Sequence, residues 1–92
     1  MLLYVVAYDI PSDRRRKKVA DLLEGYGQRV QYSVFECRLD STQYKQLQER
    51  LKPRLNFQED QVRFYPLSQH TLANVENWGG TAIVSPASSI VV

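Results

Sequence analysis

The chain has 92 residues, a formal net charge of +2, one cysteine and one histidine. This is the size of one small domain, 1–92, which buries only roughly 60–65% of its unfolded surface and gains from added burial in an oligomer. One cysteine excludes an internal disulfide and fits a reducing, cytoplasmic setting. No apolar run approaches the roughly 20 residues of a membrane span, and Tyr8 and Asp9 interrupt the only run that resembles a leader.

Leu2 to Asp9 is apolar almost throughout, the pattern of a strand buried on both faces. Leu3, Val5, Ala7 and Asp9 share one side; Leu2, Tyr4, Val6 and Tyr8 share the other. Pro11 breaks the strand. Ser12 then caps a helix predicted over about Asp13 to Gly25, with Val19, Leu22, Leu23 and Tyr26 at helical spacing and Gly25 and Gly27 at its end.

Arg29 to Leu39 reads as one long strand rich in Val, Tyr and Phe. Alternation puts Tyr32 and Val34 on one face, in ordinary sheet packing, and Ser33 and Phe35 on the other. Asp40 and Ser41 start a second helix, with Tyr44, Leu47 and Leu51 on one side, which Pro53 ends near Lys52. Gln61 to Leu67 is the next strand, Thr71 to Glu76 another, and Thr81 to Ser85 a short last one before an apolar tail over 86–92. Trp78-Gly79-Gly80 reads as a turn with an aromatic anchor.

The order along the chain is β-α-β-α-β-β, an α+β sheet with two helices on one face. A bend inside the long second strand, near Ser33 to Glu36, converts it to the split βαββαβ, ferredoxin-like pattern. Two helices cover one face only, yet the first strand is apolar on both. The second face meets either another copy of the chain in a two-fold dimer, or loops and the C-terminal tail.

Two features carry chemistry. Asp9 ends the first strand, and it is either a turn-forming residue or a metal ligand; magnesium needs only one or two protein carboxylates. The run Arg14, Arg15, Arg16, Lys17, Lys18 opens the following helix, where cations oppose the helix dipole. Phosphate bound there reverses that sign. Five consecutive helical positions circle the helix, so they cannot share one solvated face. Arg29 joins the same surface, and Ser33 supports the site by hydrogen bonding or makes room. His70 has no partner at zinc-ligand spacing, and Cys37 reads as a strand residue rather than a nucleophile.

Tyr8-Asp9-Ile10, a basic helix ending Val19-Ala20-Asp21-Leu22-Leu23, and Gly27 followed by Arg29-Val30-Gln31-Tyr32-Ser33-Val34-Phe35-Glu36 together resemble the second CRISPR-associated adaptation protein, the Cas-two family. The similarity runs from about Leu3 to Leu67. It implies a ferredoxin-like βαββαβ fold with an added short C-terminal strand, and a face-to-face homodimer. It also implies a magnesium-dependent endonuclease acting on single-stranded RNA and in some cases double-stranded DNA. The family dimer forms the centre of a complex in which an integrase subunit inserts new spacers into CRISPR arrays. On this resemblance the metal aspartate is Asp9, with Tyr8 before it. The basic positions are Arg16, Lys18 and Arg29, and the aromatic is Phe35. Lys18 stands where the family has arginine, keeping the charge but losing bidentate phosphate binding. Three other readings compete: a non-catalytic architectural subunit that binds duplex DNA, a toxin-like ribonuclease of related fold, and a plain RNA-binding sheet.

Overall fold

The computed structural model describes residues 1–80. β1 spans Leu2–Asp9 and α1 Asp13–Glu24. β2 spans Gln28–Gln31, β3 Val34–Leu39 and α2 Ser41–Leu51. A 3-10 turn at Lys52–Arg54 follows, then β4 at Gln61–Leu67 and a one-turn α3 at Gln69–Leu72. The sheet has the order β2-β3-β1-β4, and β1–β3, β1–β4 and β2–β3 are all antiparallel pairs. This is the split βαββαβ, ferredoxin-like arrangement of an α+β domain.

Local chemistry accounts for the helix boundaries. The Ser12 hydroxyl accepts from the Arg15 backbone N–H at 3.2 Å, capping α1. Asp40 and Gln43 form a reciprocal capping box at the start of α2. Past α1, Gly27 packs so tightly on β3 that a Cβ would collide with the backbone of Glu36 and Cys37. That close approach, rather than a left-handed helix end, is what requires glycine there.

The core lies between the helices and one face of the sheet. Tyr4, Val6 and Tyr8 of β1 and Phe35, Cys37 and Leu39 of β3 meet Val19, Ala20 and Leu23 of α1 and Leu47 and Leu51 of α2. The Tyr4 and Tyr44 rings stack at 4.0 Å, and Phe64 meets Tyr44 edge-on at 5.5 Å. Leu3, Val5, Ala7 and Asp9 face away from both helices. They share that side with Glu36 and Tyr65, which both pair with Val5. α3 lies against β1 and β4. Asn77, Gly79 and Gly80 line a small cavity with Val30 and Glu36.

Three sequence expectations need correction. Arg29 to Leu39 is not one strand: it folds back at Tyr32 and Ser33, and Gln31 pairs with Val34 across the turn. No Gly, Asn or Asp marks this reversal. It is held by tertiary hydrogen bonds, with the Ser33 carbonyl accepting from the Tyr8 backbone N–H at 3.1 Å. A register irregularity between Arg29 and Gln31 accompanies it. Tyr32 and Val34 therefore do not share a sheet face. Second, Thr71 to Glu76 is not a strand. The Ser68 hydroxyl caps a helical turn by accepting from the Thr71 backbone N–H at 3.1 Å. Third, Trp78 is not a buried anchor: it is 89% exposed and donates its indole N–H to nearby Glu76, although Gly79 and Gly80 do adopt the positive φ of a turn. The short strand expected over Thr81 to Ser85 and the tail lie outside the described residues.

Candidate nucleic-acid interface

The C-terminal end of β1 organises the site. Tyr8 faces the helix layer and is buried beneath Arg16 and Arg29, with which it lines one cleft. Its hydroxyl donates to the Tyr32 carbonyl at 3.4 Å. Arg29 donates to the same carbonyl at 3.3 Å, and its guanidinium stands 5.3 Å from the centre of the Phe35 ring. Arg16 donates to the Ile10 carbonyl at 2.7 Å and also pairs with the Asp13 carboxylate. Its guanidinium lies 6.0 Å from the centre of the Tyr32 ring. Tyr8, Arg16, Arg29 and Tyr32 thus meet in one open cleft floored by Ala20.

Burial pushes the Tyr8 hydroxyl pKa above its ordinary value, and the positive charge of Arg29 only partly offsets this. The phenol keeps its proton at neutral pH and acts as a hydrogen-bond donor. Phe35 has no exposed surface; its contribution is the ring on which Arg29 rests. Ser33 contributes its carbonyl to the Tyr8 backbone.

The basic run divides as its helical phase demands. Arg15 turns away and donates to both Asp60 oxygens, at 2.8 and 3.0 Å, and to Glu59 at 2.8 Å. Lys17 pairs with Asp21 at 2.9 Å. Lys18 lies on another side of α1, where it lines a pocket with Arg54. Arg14 is exposed. Of the five cations, only Arg16 and Lys17 border the Tyr8 cleft. The Arg15 pairing joins residues 45 positions apart, and nothing local in the sequence announces it.

Asp9 is exposed on the sheet side opposite Tyr8, in line with Leu3, Val5 and Ala7. Among the described residues no group of three or more His, Cys, Asp or Glu is placed to hold a metal. Asp13 is engaged by Arg16, and Glu59 and Asp60 by Arg15. Asp9 therefore offers one carboxylate at the strand end. That suits a hard cation whose remaining positions go to water and phosphate oxygens. Cys37 is fully buried, and burial pushes its thiol up to about 11, so it is no nucleophile. His70 is exposed in α3. Among the described residues, no helix is long and apolar enough to cross a membrane.

The family model for CRISPR associated protein Cas2 matches residues 1–75. The chain belongs to the Cas2 family. It is 60% identical to the CRISPR-associated endoribonuclease Cas2 3 of Synechocystis sp. over 92 residues, covering all of both chains. It is 52% identical to the CRISPR-associated endonuclease Cas2 2 of Thermus thermophilus over 66 residues, 72% of this chain and 73% of that one. A chain in a solved partial Cas6-RT-Cas1–Cas2 complex superposes with a TM-score of 0.74 at 30% identity, covering 92% of this chain and 100% of the other. The resemblance carried by the Tyr8-Asp9-Ile10 and Arg29 to Glu36 segments is borne out, as is the α+β ferredoxin-like fold.

Proposed function

We propose that this Cas2 protein is a magnesium-dependent phosphodiesterase that cleaves single-stranded RNA or double-stranded DNA and takes part in spacer acquisition. The observation that carries this reading is the convergence of two guanidiniums and a protonated phenol at the end of β1, whose last residue, Asp9, is exposed on the other side of the sheet. The names of its relatives, endoribonuclease and endonuclease, support the same chemistry.

Arg16 and Arg29 hold backbone phosphates, largely without reading bases. The Asp13 pairing lowers the positive field of Arg16 until phosphate competes for it. The Tyr8 hydroxyl, whose one proton goes to the Tyr32 carbonyl, helps fix the carbonyl that also orients Arg29. Arg29 is oriented by the Phe35 ring below it and the Tyr32 carbonyl beside it, so little side-chain freedom is lost when phosphate arrives. Asp9 would hold the magnesium, which when bound polarises the phosphodiester and acidifies a water. Leu3 is already buried within the chain, but the half-buried Val5 and Ala7 in line with Asp9 favour a homodimer through that sheet face, each protomer contributing one Asp9.

The test is incubation of labelled single-stranded RNA and double-stranded DNA with the protein, with magnesium and with chelator. A product that forms only with magnesium is expected. Cleavage unaffected by chelation contradicts the reading.

A second reading is an architectural subunit of the spacer-integration complex that binds duplex DNA. It is favoured by the single Asp9 carboxylate per protomer and by the likeness to a chain of the Cas6-RT-Cas1–Cas2 complex. Spacer acquisition that survives Asp9→Asn would select it.

A further inference from the structure

Tyr32 is 70% exposed at the turn between β2 and β3, yet its backbone is firmly held. Its carbonyl accepts from both the Tyr8 hydroxyl and Arg29, at 3.4 and 3.3 Å. The ring therefore projects from a fixed base. It stands beside the Arg16 guanidinium and opens onto the cleft that Arg16 and Arg29 share. This is the helix side of the sheet. The apolar face that carries Leu3, Val5 and Ala7 is the opposite one, so a copy docked there leaves the ring accessible.

The other strongly exposed aromatics have a different setting. Trp78 donates its indole N–H to Glu76, and Phe57 lines a largely apolar groove with Leu55, Val62 and Phe64, where Lys52 is the one cation among the described residues and Asp60 is held by Arg15. Tyr32 shares its cleft with Arg16, Lys17 and Arg29, and the Asp13 and Asp21 carboxylates that also line it are paired with Arg16 and Lys17. A planar ring beside two phosphate-binding groups is the pairing that single-stranded nucleic acid requires: a base on the ring and its phosphates on the cations. A base within an intact duplex presents no free face to such a ring.

We infer that Tyr32 is a stacking platform for an unpaired base, giving this site a preference for single strands that is tolerant of sequence. The inference rests on the reading of Arg16 and Arg29 as phosphate ligands, and the test separates the two.

Binding of a fluorescent single-stranded oligonucleotide and of the matching duplex is measured by anisotropy without metal. Four proteins are compared: native, Tyr32→Ala, Tyr32→Phe and the double variant Arg16→Ala/Arg29→Ala, each checked for native circular dichroism. Tyr32→Ala is expected to weaken single-strand binding roughly tenfold and leave duplex binding unchanged, with Tyr32→Phe close to native. A 2-aminopurine in the single strand is quenched by the native protein and not by Tyr32→Ala. If the double variant loses both ligands while Tyr32→Ala loses neither, the stacking role is overturned and phosphate binding stands. If the double variant binds both as the native protein does, the phosphate reading falls and the inference with it. Equal losses of single strand and duplex in Tyr32→Ala also overturn it.

Discussion

The guanidinium of Arg29 stands 5.3 Å from the centre of the fully buried Phe35 ring and donates to the Tyr32 carbonyl, although Arg29 itself is exposed. Two rigid partners thus orient a solvated charge at the end of the sheet. Arg29→Ala should leave the fold nearly intact, with a melting temperature within about 3 °C of native. It should weaken nucleic-acid binding several-fold and reduce the slope of log affinity against log salt by about 1. Titrations at four salt concentrations check this. Arg29→Lys should recover charge without recovering the full affinity, because the planar fork is lost.

Arg15 illustrates the opposite use of a cation from the same run. Its guanidinium grips Asp60, whose side chain has no exposed surface and also accepts from the Asn56 backbone N–H at 2.8 Å. The pair ties the start of α1 to the loop before β4. Asp60→Asn should lower the melting temperature by about 5 °C, measured by thermal denaturation at pH 7, without a specific loss of nucleic-acid binding.

The two environmentally shifted carboxylates respond to acid with opposite signs. The hydrogen bonds from Arg15 hold the Asp60 carboxyl below its ordinary 3.8. Its stabilising contribution is complete above that value and is lost as pH falls toward the lowered pKa. Burial raises the Glu36 carboxyl above its ordinary 4.5, and among the described residues Glu36 Oε1 is buried without a hydrogen-bond partner. Its charged form therefore opposes folding at neutral pH, and that penalty fades as pH falls through the raised pKa toward 4.5. Thermal melts of Glu36→Gln between pH 7 and 4.5 should show a higher melting temperature at pH 7 and a smaller gain on acidification than native. Equal pH slopes would contradict this assignment.

Gly27 packs against the backbone of Glu36 and Cys37 with no space for a methyl group. Gly27→Ala should destabilise the fold by about 1–3 kcal/mol through overpacking, read from urea denaturation. Gly25→Ala, where the same methyl meets only the Leu22 carbonyl oxygen at ordinary contact distance, should be near neutral.

The legible parts of the sequence were those set by local chemistry. The apolar run Leu2 to Asp9 announced β1, Ser12 and Asp40 announced both helix starts, and the spacing of Tyr44, Leu47 and Leu51 announced the buried side of α2. The reversal at Tyr32 and Ser33 was not legible, because contacts from Tyr8, 24 residues away from Tyr32, hold it without a Gly, Pro, Asn or Asp. α3 was missed for a related reason: one turn is too short for periodicity to register, and only the Ser68 cap marks it. At the site, the residues Tyr8 to Lys18 pointed to phosphate chemistry. Their division between the Tyr8 cleft, the Asp60 lock and the far side of α1 depended on partners in other elements. Tyr32 read as ordinary strand packing until the turn placed it in solvent.

The measurement that bears most directly on the proposed activity is magnesium-dependent cleavage of labelled single-stranded RNA and double-stranded DNA by the native protein and by Asp9→Asn. The account predicts that the substitution abolishes the product while binding of both polymers stays close to native, since Arg16, Arg29 and Tyr8 are untouched. Undiminished magnesium-dependent cleavage by Asp9→Asn would contradict it.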